Sequence, residues 1–141
     1  MIRTQQLPLY TQTYSFVREM YRIKIKLPKF LKHDLGQMSV EAALGILKGI
    51  VLANKSRVKE EYISQILLQI EAEWTFLRLM FDLKGISEGE FKNLSERLSE
   101  ITKQTQSWKK WEQGEQAKKR KINLQNPRPM QEMNEMQEIH E

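Results

Sequence analysis

From about Leu9 to Leu27, apolar residues recur at spacings of three and four. Tyr10, Tyr14, Val17 and Tyr21 form one stripe, and Phe16, Met20, Ile23 and Leu27 an adjoining one. This period predicts a helix with a broad apolar face. Pro28 ends it, because proline lacks the amide hydrogen and drives its predecessor out of the α region. A second run, from about Asp34 to Asn54, aligns Leu35, Met38, Ala42, Ala43, Ile46, Leu47, Ile50 and Val51, with Val40 and Leu44 widening the stripe. The Asp34 carboxylate is placed to cap this helix. Its small residues, Ala42, Ala43, Gly45, Gly49 and Ala53, predict close approach of a neighbouring backbone, since each glycine costs about 1 kcal/mol of helix propensity relative to alanine.

A third run, from about Val58 to Lys84, carries Tyr62, Ile63, Ile66, Leu67, Ile70, Trp74, Leu77, Met80 and Phe81, with Gly85 expected as the residue just past its C-cap. The fourth opens with Ser87 and Glu90 in the spacing of a capping box. Phe91, Leu94, Leu98, Ile101, Thr105 and Trp108 then alternate by three and four as a heptad seam. Short connections make successive helices antiparallel neighbours, so the expected fold is all-α, an up-down-up-down four-helix bundle over residues 1–112. Past Trp111 the pattern fails. The basic run Lys118 to Lys121 is followed by a Gln/Asn/Pro stretch and a three-residue repeat headed by Met130, Met133, Met136 and Ile139. Residues 113–141 are therefore expected to be a disordered tail, with folding onto a partner as the alternative.

The low count of turn formers, six glycines and four prolines in 141 residues, agrees with helices and not with many short strands. A formal charge of +5 suits an acidic partner. Cysteine is absent, which excludes disulfides, thiolate catalysis and cysteine-ligated zinc. No apolar leader follows Met1, and no later segment is continuously apolar over a bilayer's width, so a cytoplasmic protein without a membrane partner is expected. The di-metal sites of helical bundles need a Glu-x-x-His pair facing the core. His33 is preceded at that spacing by Phe30 and His140 by Gln137, so neither is read as a ligand. No metal site, cofactor, catalytic nucleophile or phosphate-cradling glycine loop is expected.

The remaining chemical signal is cationic. Arg18, Arg22, Lys26 and Lys29 are spaced four, four and three, so they would stack into one ridge if the first helix persists to Pro28. Lys32 extends the ridge into the corner between the first two long helices. An antiparallel bundle would bring the end of the third helix, near Lys84, to the same pole. Lys109 and Lys110 form a second basic group near the end of the fourth helix. Trp111 beside them is a candidate for stacking on a base or packing against a neighbouring subunit, whereas Trp74 and Trp108 fall on core positions.

Leu27-Pro28-Lys29, then Leu35-Gly36-Gln37, then Trp74-Thr-Phe-Leu-Arg78 and Ser107-Trp108, taken in that order, resemble the accessory variability determinant (Avd) family of diversity-generating retroelements. Proteins encoded within intervening sequences of ribosomal RNA genes share that family's four-helix-bundle fold, and the resemblance spans roughly residues 7–112. It implies a basic homopentamer that binds a reverse transcriptase and its template RNA, or an RNA/DNA hybrid, and supports mutagenic copying without catalytic residues of its own. Arg78 matches a basic position of the family's third helix. Asp82 stands where a second arginine can follow, and Thr105 and Gln106 replace glycines that often precede the closing tryptophan.

These readings converge on a non-enzymatic nucleic-acid-binding adaptor with Arg18, Arg22, Lys26, Lys29, Lys32, Arg78, Lys109 and Lys110 as phosphate contacts. The competing expectation is a structural four-helix-bundle oligomer of the intervening-sequence type, acting as a protein–protein adaptor through exposed apolar residues. An enzyme is the distant third.

Overall fold

The computed structural model describes residues 3–125. After a short 3₁₀ turn at Thr4–Gln6 come α1 (Pro8–Lys26), the single turn α2 (Lys29–Lys32), α3 (Leu35–Lys55), α4 (Lys59–Asp82) and α5 (Glu88–Gln125). No strand occurs among the described residues. The four long helices form an antiparallel bundle. At one pole, α3 ends near the amino-terminal segment, where Asn54 donates to the Thr4 hydroxyl at 2.9 Å. At the other pole, the α4–α5 turn meets the α1–α3 corner: a Cβ built on Gly85 would lie 2.6 Å from Leu31 Cδ1 and 3.2 Å from Leu27 Cδ2. Between α5 and α1, Arg97 reaches Ser15 at 3.0 Å and Gln104 reaches Gln12 at 2.5 Å, so the numbering rises along one helix as it falls along the other. Phe81 of α4 and Phe91 of α5 stack with ring centres 4.5 Å apart. Thus α3 and α5 each flank both α1 and α4, which lie diagonally across the bundle.

The core is one cluster contributed by all four long helices: Phe16, Met20 and Ile23 from α1, Ile46 and Ile50 from α3, Ile66, Ile70 and Leu77 from α4, and Leu94, Leu98 and Ile101 from α5. Close packing of α3 on α4 follows from the small residues on α3. At Gly49, an added Cβ would sit 2.6 Å from Ile66 Cγ1, so no larger residue fits without displacement. The stretch Lys29–Lys55 is long and apolar enough by composition to cross a membrane. In this fold Val40, Ala43, Ile46, Ile50 and Ala53 of the stretch are almost wholly buried in the core, while Phe30, Met38, Leu44 and Leu52 stay exposed.

The local signals for the helix ends hold, with one exchange. Asp34 accepts from the Leu35 amide as the α3 cap. Ser87 and Glu90 form the reciprocal capping box, at 3.1 Å and 2.9 Å. At the end of α4, Gly85 N–H bonds to Met80 O at 2.7 Å and Lys84 N–H to Phe81 O at 3.0 Å, the paired bonds of a Schellman ending. The left-handed residue in that ending is Lys84, at φ 61°, and not Gly85. Gly85 instead supplies room for Leu27 and Leu31 of the opposite corner.

One expectation about helix extent holds and one needs correction. α1 ends at Lys26 with Leu27 and Pro28 extended, as the proline dictates, and helix resumes at Lys29, so the condition for Lys29 to join the α1 ridge is not met. α5 does not stop near Trp111 but continues to Gln125. Residues 112–125 offer no apolar stripe, yet they are rich in Glu, Gln, Ala, Lys and Arg and reach no proline before Pro127, so propensity alone favours helix there. The chain divides into two units between Lys109 and Lys110. Residues 113–125 of the expected tail are thus helical and exposed for the most part. The Met-headed repeat and His140 lie outside the described residues.

Candidate nucleic-acid interface

On α1 the core side is fixed by Phe16, Met20 and Ile23, each no more than 3% exposed. With 100° per residue, Arg18 and Arg22 fall on the outward half of the helix, and Lys26 follows one turn on. All three are exposed. They rise along α1 in steps of about 6 Å, four residues at 1.5 Å each. The ridge therefore exists over these three. Arg22 is partly neutralised by Glu19, 3.5 Å away, in an exposed pair that contributes little to stability. α1 carries four basic residues against that one acid.

Lys29 is not the fourth member of the α1 stack, because the chain turns at Leu27 and Pro28 before it. It begins α2, and with the half-buried Lys32 it caps the pole where α1 ends. Lys84 reaches the same pole through the α4–α5 turn. Lys24 is occupied differently, donating to the Gln37 carboxamide across the α1–α3 interface. The exposed His33 is the C-cap of α2. Among the described residues no group of three or more His, Asp or Glu is arranged to hold a metal ion.

The other predicted contacts are not brought to this surface. Arg78 is exposed on α4, diagonally opposite α1, and its guanidinium is held by Asp82 at 3.2 Å. Asp82 thus offsets part of the positive charge at this turn of α4. Lys109 lies 21 residues into α5, about 32 Å along the helix axis from the corner pole. It lines an open groove of about 560 Å³ between α4 and α5 together with Leu67, Leu68, Trp74 and Gln106. Lys110 is exposed and opens the second unit. Trp111 is 61% exposed, whereas Trp74 and Trp108, expected in the core, are only partly buried against it.

No known protein family matches this chain, and no curated protein matches it in sequence.

Residues that sequence reasoning passed over also border the ridge. Arg97 projects from α5 toward α1, where it donates to Ser15 and lines a shallow groove with Gln12 and Glu100. Nothing in the α5 pattern marks it, because its position depends on the pairing of two helices distant in sequence. The tyrosines were misplaced. Tyr14 and Tyr21 are 49% and 45% exposed, on the side of α1 facing away from Phe16 and Ile23, while Tyr10 packs partly against the core. The spacing offered two stripes, and the one with Phe16, Met20, Ile23 and Leu27 went inside because it runs on without interruption into Leu31 and Leu35 at the corner.

Proposed function

We propose that the chain is a non-enzymatic accessory subunit that binds nucleic acid through the cationic face of α1 and the adjoining corner. The observation that carries this reading is the alignment of Arg18, Arg22 and Lys26, all exposed, with Lys29 and Lys32 at the pole where that helix ends. Five cations on one side and one end of the bundle are a suitable footprint for a phosphate backbone. The resemblance to the Avd family gives the footprint its context: a cytoplasmic retroelement ribonucleoprotein in which this subunit, as a homopentamer, engages the reverse transcriptase and template RNA during mutagenic cDNA synthesis. Backbone contacts fix position without reading sequence, which suits a subunit that holds a template whose sequence varies.

The test is a salt titration of RNA binding. Reversing Lys26, Lys29 and Lys32 to glutamate is expected to weaken binding by at least tenfold at low salt and to flatten the dependence of log affinity on log salt, with helicity unchanged. Unaltered affinity in that variant would remove the corner from the site.

A second reading is favoured by a separate feature. Leu68, Leu79 and Leu83 lie within about 60° of one another on the outer side of α4 and are each more than 40% exposed. An apolar stripe of this kind suits a protein partner or a second copy of the chain. Protein that purifies free of nucleic acid and binds a reverse transcriptase without RNA would support this adaptor reading over the first.

A further inference from the structure

The outer face of α1 is not simply basic. Starting from Tyr14 and turning 100° per residue, Tyr21 lies about 20° to one side, Ile25 about 20° to the other, and Arg18 and Arg22 at about 40° and 80°. Two half-exposed phenol rings therefore alternate with two exposed guanidinium groups along one strip. Ile25, 71% exposed, continues the strip toward the corner. The Tyr14 ring does not hang free: it stacks on Tyr10, with ring centres 6.1 Å apart and planes at 29°, and Tyr10 is itself packed against the core. Tyr14 and Tyr21 are separated by about 10.5 Å along the axis, about three base rises of a stacked strand at 3.4 Å each.

A half-exposed tyrosine ring can take a π partner and an adjacent guanidinium an anion, Arg22 doing so in competition with Glu19. Single-stranded nucleic acid supplies both at this spacing, because unpaired bases stack on aromatic rings while the backbone tracks the cations. A duplex satisfies only the cations, since its bases already stack on one another. A second copy of this chain would oppose its own cationic face to this one, at +5 per chain. We propose that the α1 face is a binding platform for single-stranded nucleic acid, with bases stacked on Tyr14 and Tyr21 and phosphates held by Arg18 and Arg22. The platform rests on the nucleic-acid reading above and narrows its ligand to the unpaired strand.

The experiment uses the full chain with two probes of the same sequence, an unstructured single-stranded RNA of twelve nucleotides and its duplex. Tyr14→Leu with Tyr21→Leu is expected to lower single-strand affinity by at least about fivefold per ring, at the lower end of what one base stack is worth. Duplex affinity and the salt slope should stay as they are, because no charge is removed. Tyr14→Phe with Tyr21→Phe retains the ring face and should restore binding. If disruption of the Tyr10 stack unfolds the double variant, Tyr21→Leu alone carries the same expectation for one ring. Single-strand affinity within twofold of the parent in the leucine variants overturns the platform, as does an equal loss for duplex or a change of oligomeric state that accounts for the loss. Charge-reversal variants separate the two claims. If they weaken binding while the tyrosine variants do not, only the platform fails, whereas a parent chain that binds neither probe removes both.

Discussion

Glu73 occupies a core position of α4 and has no exposed surface. Its Oε1 accepts from the Ser39 hydroxyl of α3, and its Oε2 has no partner. Burial pushes the carboxyl up from 4.5 to about 8, against a smaller downward pull from Ser39. Below pH 8 the folded chain therefore holds a proton that the unfolded chain releases above 4.5. The unfolded state binds fewer protons across that window, so stability falls as pH rises through it and levels off above the folded pKa. One pKa unit corresponds to about 1.36 kcal/mol, so the full loss approaches about 5 kcal/mol, most of it falling between pH 4.5 and 8. By pH 7 about 3 kcal/mol of it has been incurred. Glu73→Gln removes the titration but buries two amide hydrogens in place of one acid hydrogen, at a cost of about 1–3 kcal/mol. The variant should thus be less stable than the parent at pH 5, near the ordinary carboxyl value, and more stable by pH 8. Urea denaturation followed by circular dichroism at intervals from pH 4.5 to 8.5 measures this, and the difference between the two chains cancels titrations they share. Parallel pH profiles, or a parent that gains stability relative to the variant as pH rises, would refute the assignment of a protonated, buried Glu73.

Two further substitutions probe the α4 ending and the packing of α3 on α4. Lys84→Gly relieves a side chain from the left-handed conformation and should stabilise the bundle by about 0.5–1 kcal/mol, seen as a higher urea midpoint with an unchanged slope. Gly49→Ala gains helix propensity worth about 1 kcal/mol but drives a Cβ to 2.6 Å from Ile66 Cγ1. A net destabilisation of about 1–2 kcal/mol is expected from this overpacking, and Ile66→Ala in the same chain should make the Gly49→Ala step neutral or favourable in a thermal melt.

The parts of this molecule that were legible in sequence are those set by local rules. Ser87 and Glu90 announce a helix start because their reciprocal bonds need only a three-residue spacing, and Leu94, Leu98 and Ile101 repeat too regularly to face anywhere but inward. α1 shows where such rules give out. Its two apolar stripes satisfy the same period, and only the continuity of Phe16, Met20, Ile23 and Leu27 with the Leu31 and Leu35 corner decides which is buried. That choice turned Tyr14 and Tyr21 outward beside Arg18 and Arg22, converting what had read as core into the most distinctive part of the candidate interface. Arg97 beside α1 and Arg78 across the bundle from it are likewise consequences of which helices are neighbours and which are diagonal, whereas Lys109 is removed from the corner by its distance along α5.

Glu73 is the instructive miss, because its signal was present. The buried α4 positions Ile63, Ile66, Ile70, Leu77 and Met80 alternate strictly by three and four only if residue 73 is inserted between Ile70 and Leu77, since residue 74 gives two steps of four and then two of three. That arithmetic puts a glutamate in the seam. The adjacent Trp74 drew the assignment instead, since a large ring is expected inside more often than a carboxylate, and the ring proves only partly buried while the carboxylate is wholly so. A charged residue in register with a core seam costs stability unless protonated or paired, and the Ser39 hydroxyl satisfies only one of its two oxygens. The pH dependence above therefore tests whether α4 is held in this rotational setting. A rotation that exposed Glu73 would restore an ordinary carboxyl and would also turn Ile66 and Ile70 out of the core, which the burial of their neighbours on α3 and α5 opposes.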